Sequence, residues 1–126
     1  MDELYKENLV DHHKNPRNYG KLVSPSFVVE ENNPLCGDHI KIYGSVLDKK
    51  LNRVKFEGKG CVICMASASI LVEDMQGKAL EEIKSMTRED MLDLLGIKLN
   101  PSREKCAMLS LSCLKKGVLE YKGETK

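Results

Sequence analysis

The spacing of apolar residues changes once along this chain, near residue 60, and separates a strand-forming half from a helical half. Before the change, Ile40, Ile42, Gly44 and Val46 alternate with His39, Lys41, Tyr43 and Ser45. A period of two places one face of a strand in a core. Val54 and Phe56 alternate in the same way with Arg53, Lys55 and Glu57. Asp48-Lys49-Lys50 is a polar turn between the two runs, so they predict an antiparallel hairpin with one buried face. Phe27-Val28-Val29 supplies a further short strand. From Cys61 onward, Val62, Ile63, Met65, Ala66, Ala68, Ile70, Leu71, Val72 and Met75 are apolar almost all round. That pattern predicts a largely buried helix, stopped near Gly77.

Shorter helices complete the chain. Residues 3–14 form one, with Leu4, Leu9 and Val10 as its apolar positions, and the breaker run Asn15-Pro16-Arg17-Asn18-Tyr19-Gly20 ends it. Leu80 to Ile83 and Arg88 to Leu95 form two more; Thr87 caps the second, with Asp90 at its third position. Asn100-Pro101-Ser102 caps a last helix whose core stripe is Met108, Leu111, Leu114 and Val118. Strands first and helices after predict an α+β fold: a small antiparallel sheet of about three strands with helices packed on one face. With no repeat and no low-complexity linker, residues 1–126 read as a single domain, long enough to bury a real core.

Composition narrows the function mainly by exclusion. Twenty Lys and Arg against 19 Asp and Glu leave a net charge of +1, so no global field draws nucleic acid or a membrane surface. No apolar run approaches the ~20 residues of a membrane helix. The start, Met1-Asp2-Glu3-Leu4-Tyr5-Lys6, is acidic and carries no signal-peptide core. Five cysteines, an odd number, fit a reducing cytoplasm with free or metal-bound thiols better than a disulfide framework.

Three of those cysteines stand in loop-like surroundings. Cys36 lies in Asn33-Pro34-Leu35-Cys36-Gly37-Asp38, Cys61 follows Gly58-Lys59-Gly60, and Cys106 lies in Ser102-Arg103-Glu104-Lys105-Cys106-Ala107. Soft metals take thiolates from rigid, reachable positions, and Asp38 adds a carboxylate beside the first. If residues 48 and 51 flank the hairpin turn, residue 39 lies opposite about residue 60. Cys36 and Asp38 then enter one strand at the end where Cys61 leaves the other. Cys61 opens a helix, whose free N–H groups favour its thiolate; Arg103 and Lys105 are expected to lower the Cys106 pKa. The glycines Gly37, Gly58 and Gly60 let the backbone approach a bulky ligand. Cys64 completes Cys61-x-x-Cys64 but sits in a run that looks buried, and Cys113 lies among Leu109, Leu111 and Leu114; both are expected in the core. His12 and His13 point to different faces and make no two-ligand clamp.

Together, these segments resemble the U-type iron–sulfur cluster scaffold family, which comprises IscU, SufU and the N-terminal domain of NifU. The likeness covers nearly the whole chain. It runs through His12-His13-Lys14-Asn15-Pro16-Arg17-Asn18, Asn33 to Asp38, Gly58-Lys59-Gly60-Cys61-x-Ile63-x-x-Ala66-Ser67-Ala68-Ser69, and Arg103-x-Lys105-Cys106-Ala107. The resemblance implies a scaffold, not an enzyme. It would take persulfide sulfur from a pyridoxal-phosphate cysteine desulfurase and combine it with iron as a labile [2Fe–2S] cluster. It would then hand that cluster to apo iron–sulfur acceptor proteins. By motif position Cys36, Cys61 and Cys106 would be cluster ligands, with Asp38 the nearby carboxylate that keeps the cluster labile. Cys106, with its two neighbouring cations, is the candidate persulfide acceptor; a homodimer or homo-oligomer is open.

The chain departs from the IscU pattern at two places. Lys105 stands where many IscU proteins carry a histidine, as in the SufU branch, and Leu99-Asn100-Pro101-Ser102-Arg103 replaces the chaperone-recognition sequence. It also lacks the insertion of about twenty residues that the resemblance associates with SufU. The alternative function is therefore a zinc-dependent sulfur acceptor for a desulfurase, Zn2+ being held by the same Cys36, Asp38, Cys61 and Cys106. A structural zinc module would need paired C-x2-C knuckles, and a Cys61–Cys64 dithiol oxidoreductase would leave Cys36 and Asp38 unexplained.

Overall fold

The computed structural model describes residues 3–34 and 37–121, with side chains from Glu7 onward. Its elements are α1 (Glu3–Lys14), β1 (Phe27–Asn33), β2 (Asp38–Leu47), β3 (Lys50–Lys59), α2 (Val62–Met75), α3 (Leu80–Lys84), α4 (Arg88–Leu95) and α5 (Pro101–Glu120). The three strands form an antiparallel sheet in the order β1-β2-β3. This is the predicted α+β architecture; Leu4 lies among the residues whose side chains are not described.

Strand parity explains the layering. Ile40, Ile42 and Val46 on β2, Val54 and Phe56 on β3, and Val29 on β1 point to one face and are buried. The other face carries Glu30, Lys41, Tyr43, Lys55 and Glu57, where the Tyr43 hydroxyl donates to Glu57 Oε1 at 2.6 Å. That bond and partial burial push the Tyr43 pKa up to about 12.

The register of the hairpin differs from the expected one. Leu47 and Lys50 flank the turn, and its two central residues, Asp48 and Lys49, have φ of 54° and 64°. Two consecutive left-handed residues make the tight turn that matches strand twist. A bulge follows, with Leu51 opposite Val46 but Arg53 opposite Ser45. Leu51 and Val54 are three apart, hence of opposite parity, yet both are fully buried. The extra residue, Asn52, lets both face inward. His39 consequently lies opposite Lys59, one position from expectation.

Helices α2 and α5 pack on the buried sheet face, and α1 packs on α2. Gly117 allows α5 to approach β1: a Cβ there would lie 2.6 Å from the Phe27 ring and 2.8 Å from Val29 Cγ1. Leu111, Leu114 and Val118 line the core as predicted, while Met108 is only partly buried. Thr87 and Asp90 form the expected reciprocal capping box of α4. Val10, counted as apolar in the sequence pattern, is 44% exposed, and the inward residues of α1 are Leu9 and His12.

The outer edge of β3 is closed by the segment after α1. Phe56 N–H donates to Asn18 O, Gly20 N–H to Phe56 O, and Asn18 Nδ2 to Val54 O. Gln76 Oε1 accepts from Val54 N–H, and the Tyr19 hydroxyl reaches both backbone groups of Gly58.

Candidate metal centre

Three elements deliver side chains to one end of the sheet. Asp38 is the first residue of β2, Cys61 is the N-cap of α2, and Cys106 lies in the second turn of α5. One ligand atom from each lies within 4.8 Å of the others, the group among the described residues suited to hold a metal ion. Sequence spacing brought Asp38 to Cys61 through the hairpin but gave no rule for where α5 begins. The structure brings Cys106 to the same corner. Cys36 lies outside the described residues.

Each side chain has a local reason for its place. Asn100 Oδ1 accepts from Arg103 N–H at 2.9 Å and Pro101 opens α5, which fixes the helix start one turn before Cys106. At the other helix, Cys64 N–H donates to Cys61 Sγ at 3.4 Å, so the thiol itself caps α2. Asp38 is 3% exposed; its Oδ1 accepts from Cys61 N–H at 3.2 Å, and Cys61 Sγ lies 4.0 Å from Oδ2. Two orphan N–H groups at the helix start are thus met by a carboxylate and a sulfur.

Glycine roles separate on inspection. Gly60 has no room for a side chain: a Cβ would stand 2.8 Å from Asp38 Oδ1 and 3.0 Å from Cys64 Sγ. Gly58, expected to admit a ligand, is instead fixed by packing, since its Cβ would meet His39 O at 2.4 Å. Gly37 has a φ of 78°, a backbone conformation that favours glycine.

The electrostatics overturn one expectation. Cys106 was predicted to have a lowered pKa through Arg103 and Lys105. Instead its thiol is pushed up to about 12, first by burial and then by hydrogen bonding with Cys61 and Asp38. Arg103 and Lys105 are exposed, and the groups that move the thiol are Cys61 and Asp38. Burial among a carboxylate and a second thiol disfavours another negative charge. The reading of Cys106 as first sulfur acceptor loses this support.

The donor set suits a soft or borderline cation. Two sulfurs and one oxygen within 4.8 Å stand near the ~3.7 Å separations of tetrahedral zinc ligands. The missing Gly60 side chain leaves room for the Asp38 carboxylate beside Cys64. Among the described residues, Cys61, Cys64, Cys106 and Cys113 form no disulfide.

Two features were not legible in the pattern. Cys64 is fully buried, as expected for a core residue, yet its sulfur lies beside Gly60 next to the carboxylate. His12, weak as a ligand candidate, is 4% exposed, and its Nδ1 lies 2.7 Å from Ser69 Oγ, which also accepts from Arg17 N–H at 2.8 Å. Burial first, then the Arg17 charge, lower the His12 pKa from 6.5, while Glu73, 3.7 Å from Nε2, opposes. Its position three residues after Leu9 was the available signal.

Fold and site together define a small α+β protein with a thiol–carboxylate corner, and the comparisons identify its family. The chain belongs to the NifU-like N-terminal domain family, whose pattern it matches over residues 4–126. It is 39% identical to the zinc-dependent sulfurtransferase SufU of Bacillus subtilis, over 98% of this chain and 95% of that protein. That alignment has 140 positions, more than the 126 residues here, so the relative carries positions this chain lacks. It is 33% identical to the iron–sulfur cluster assembly scaffold protein IscU 1 of Archaeoglobus fulgidus, over 94% of this chain and 76% of that one. A crystal structure of the SUF-system scaffold protein from Fervidobacterium islandicum superimposes with a TM-score of 0.76 at 26% identity, covering 89% and 94% of the two chains. Among the described residues no helix is long and apolar enough to cross a membrane.

Proposed function

We propose that this chain is a scaffold on which a [2Fe–2S] cluster is assembled as cargo and passed on to apo acceptor proteins. The observation that carries this reading is the convergence of Asp38, Cys61 and Cys106 from three separate elements. Cys36, two residues before Asp38, is the third thiolate of the set by sequence. Thiolates match iron–sulfur cores, whereas a carboxylate oxygen is a poorer partner for a soft centre. Three thiolates and Asp38 therefore hold cargo less firmly than four thiolates would. The sulfur donor is a pyridoxal-phosphate cysteine desulfurase.

The test is anaerobic reconstitution with ferrous iron, cysteine and a desulfurase. A visible chromophore that passes to an apo-ferredoxin is the expected result. Asp38→Ala is expected to keep its cluster longer than the parent; faster release would remove Asp38 from the lability role.

A second reading, a zinc-held sulfur acceptor, is favoured by the 39% identity to a zinc-dependent sulfurtransferase and by Lys105. Here zinc would sit on the same residues and stabilise the thiolates at neutral pH. One tightly held zinc, faster desulfurase turnover and no transferable chromophore would select it over the scaffold.

A further inference from the structure

Cluster sulfur is sulfide, whereas a persulfide carries sulfur two electrons more oxidised. An assembly site fed by persulfide therefore needs two electrons for every sulfur it uses. Cys61 and Cys64 form a dithiol within the same corner. Cys61 caps α2 and is partly exposed, so an incoming sulfur can reach it from outside. Cys64, at the third helical position, is fully buried; its N–H bonds to Cys61 Sγ at 3.4 Å, and its own sulfur lies beneath Gly60. An N-cap cysteine bonded to the N–H of the third helical residue brings the two side chains onto one turn. A buried thiol can meet only an electrophile formed inside the protein, and Cys61, three residues earlier and capping the same helical turn, presents its sulfur to that turn.

We infer that Cys64 is a resolving cysteine that releases sulfide from a persulfide on Cys61. The inference rests on the sulfur-accepting reading of this site. Cys64 Sγ attacks Cys61 Sγ, the bond between Cys61 Sγ and the outer sulfur breaks, and a Cys61–Cys64 disulfide forms. The outer sulfur takes the electron pair and leaves toward the open side; with its own hydrogen and the proton of Cys64 it is hydrogen sulfide. The two protein thiols lose two electrons and the sulfane sulfur gains them. Further turnover needs an external dithiol to reduce the disulfide by thiol–disulfide exchange. A single turnover needs none. The step also takes Cys61 out of the ligand set until the disulfide is reduced, so release and loading alternate.

The test uses the full chain, reduced and metal-free, exposed to inorganic polysulfide and freed of excess reagent without added thiol. Cys61 and Cys64 are the cysteines of one tryptic peptide, residues 60–78. In the parent this peptide is expected to lose two hydrogens as sulfide appears. In Cys64→Ser and Cys64→Ala, each checked for native circular dichroism, it is expected to keep one extra sulfur, with sulfide release at least roughly tenfold slower. Equal sulfide release by both variants, or a parent peptide that keeps its extra sulfur, overturns the inference. A second arm loads sulfur with a desulfurase and cysteine. Resolution after polysulfide but no sulfur from the desulfurase would sink the proposed function and leave the Cys64 chemistry standing.

Discussion

The two ends of the β2–β3 hairpin are finished in opposite ways. At the turn, the backbone is tied to the segment after α2: Leu51 N–H donates to Lys78 O, Gly77 N–H to Leu51 O, and Leu80 N–H to Lys49 O. Leu51 itself is wholly buried, so this end is sealed by packing and main-chain pairing. At the other end, side chains do the closing, and they are a carboxylate and thiols whose best partners come from outside the chain. Asp38 and Cys61 satisfy each other, but only by weak, long contacts. One hairpin thus has an end closed by main-chain pairing and an end closed by side chains suited to a metal ion.

That division can be broken at either end. The largest effect is expected from Leu51→Ala, a loss of about 2–5 kcal/mol in unfolding free energy. Chemical denaturation measures it, and zinc affinity of the folded fraction should stay unchanged; a joint fall in affinity would show the ends are coupled. Next comes Cys106→Ser, with little change in denaturation midpoint but a zinc affinity lowered by at least roughly a hundredfold, more than outer-shell changes cost. Competition with a chromophoric chelator reads that value. Retained affinity would remove Cys106 from the ligand set.

Gly60→Ala sharpens the picture, because its methyl would press on both Asp38 and Cys64. A stability cost of about 1–3 kcal/mol is expected, accompanied by weaker metal binding, since the corner cannot close. A neutral substitution would mean the corner is looser than its contacts imply. The smallest effect lies at the attachment of α1 to α2. His12 is held neutral with a lowered pKa, so the unfolded chain binds its proton more readily than the folded one. Stability is then complete above the ordinary value of 6.5 and declines as pH falls through it toward the folded pKa. Urea midpoints between about pH 7.5 and 5.5 should fall in the parent and flatten in His12→Gln.

Much of this was legible in the sequence, and what was not has physical causes. Alternation at 40–46 and 54–56 fixed which strand faces are buried, and hairpin pairing placed Asp38 beside Cys61 to within one residue. The bulge at Asn52 left no trace except the unequal parity of Leu51 and Val54. The start of α5 could not be placed, because no spacing rule connects Cys61 to a helix forty residues later. His12 was missed because a histidine on an inward stripe reads as polar until its hydroxyl partner, 57 residues away, is seen. Charge along the sequence misled at Cys106: neighbours in the chain are not neighbours in the field, and burial outweighed both cations.

The segment that follows α1 bears on how this protein behaves at high concentration. Strand edges recruit other strands through their free N–H and C=O groups. Along the outer edge of β3, the groups of Val54, Phe56 and Gly58 are already taken by Asn18, Tyr19, Gly20 and Gln76. A second copy finds no ladder to extend there. Self-association through that edge would first require the chain to give up six of its own contacts, most of them made by the loop after α1.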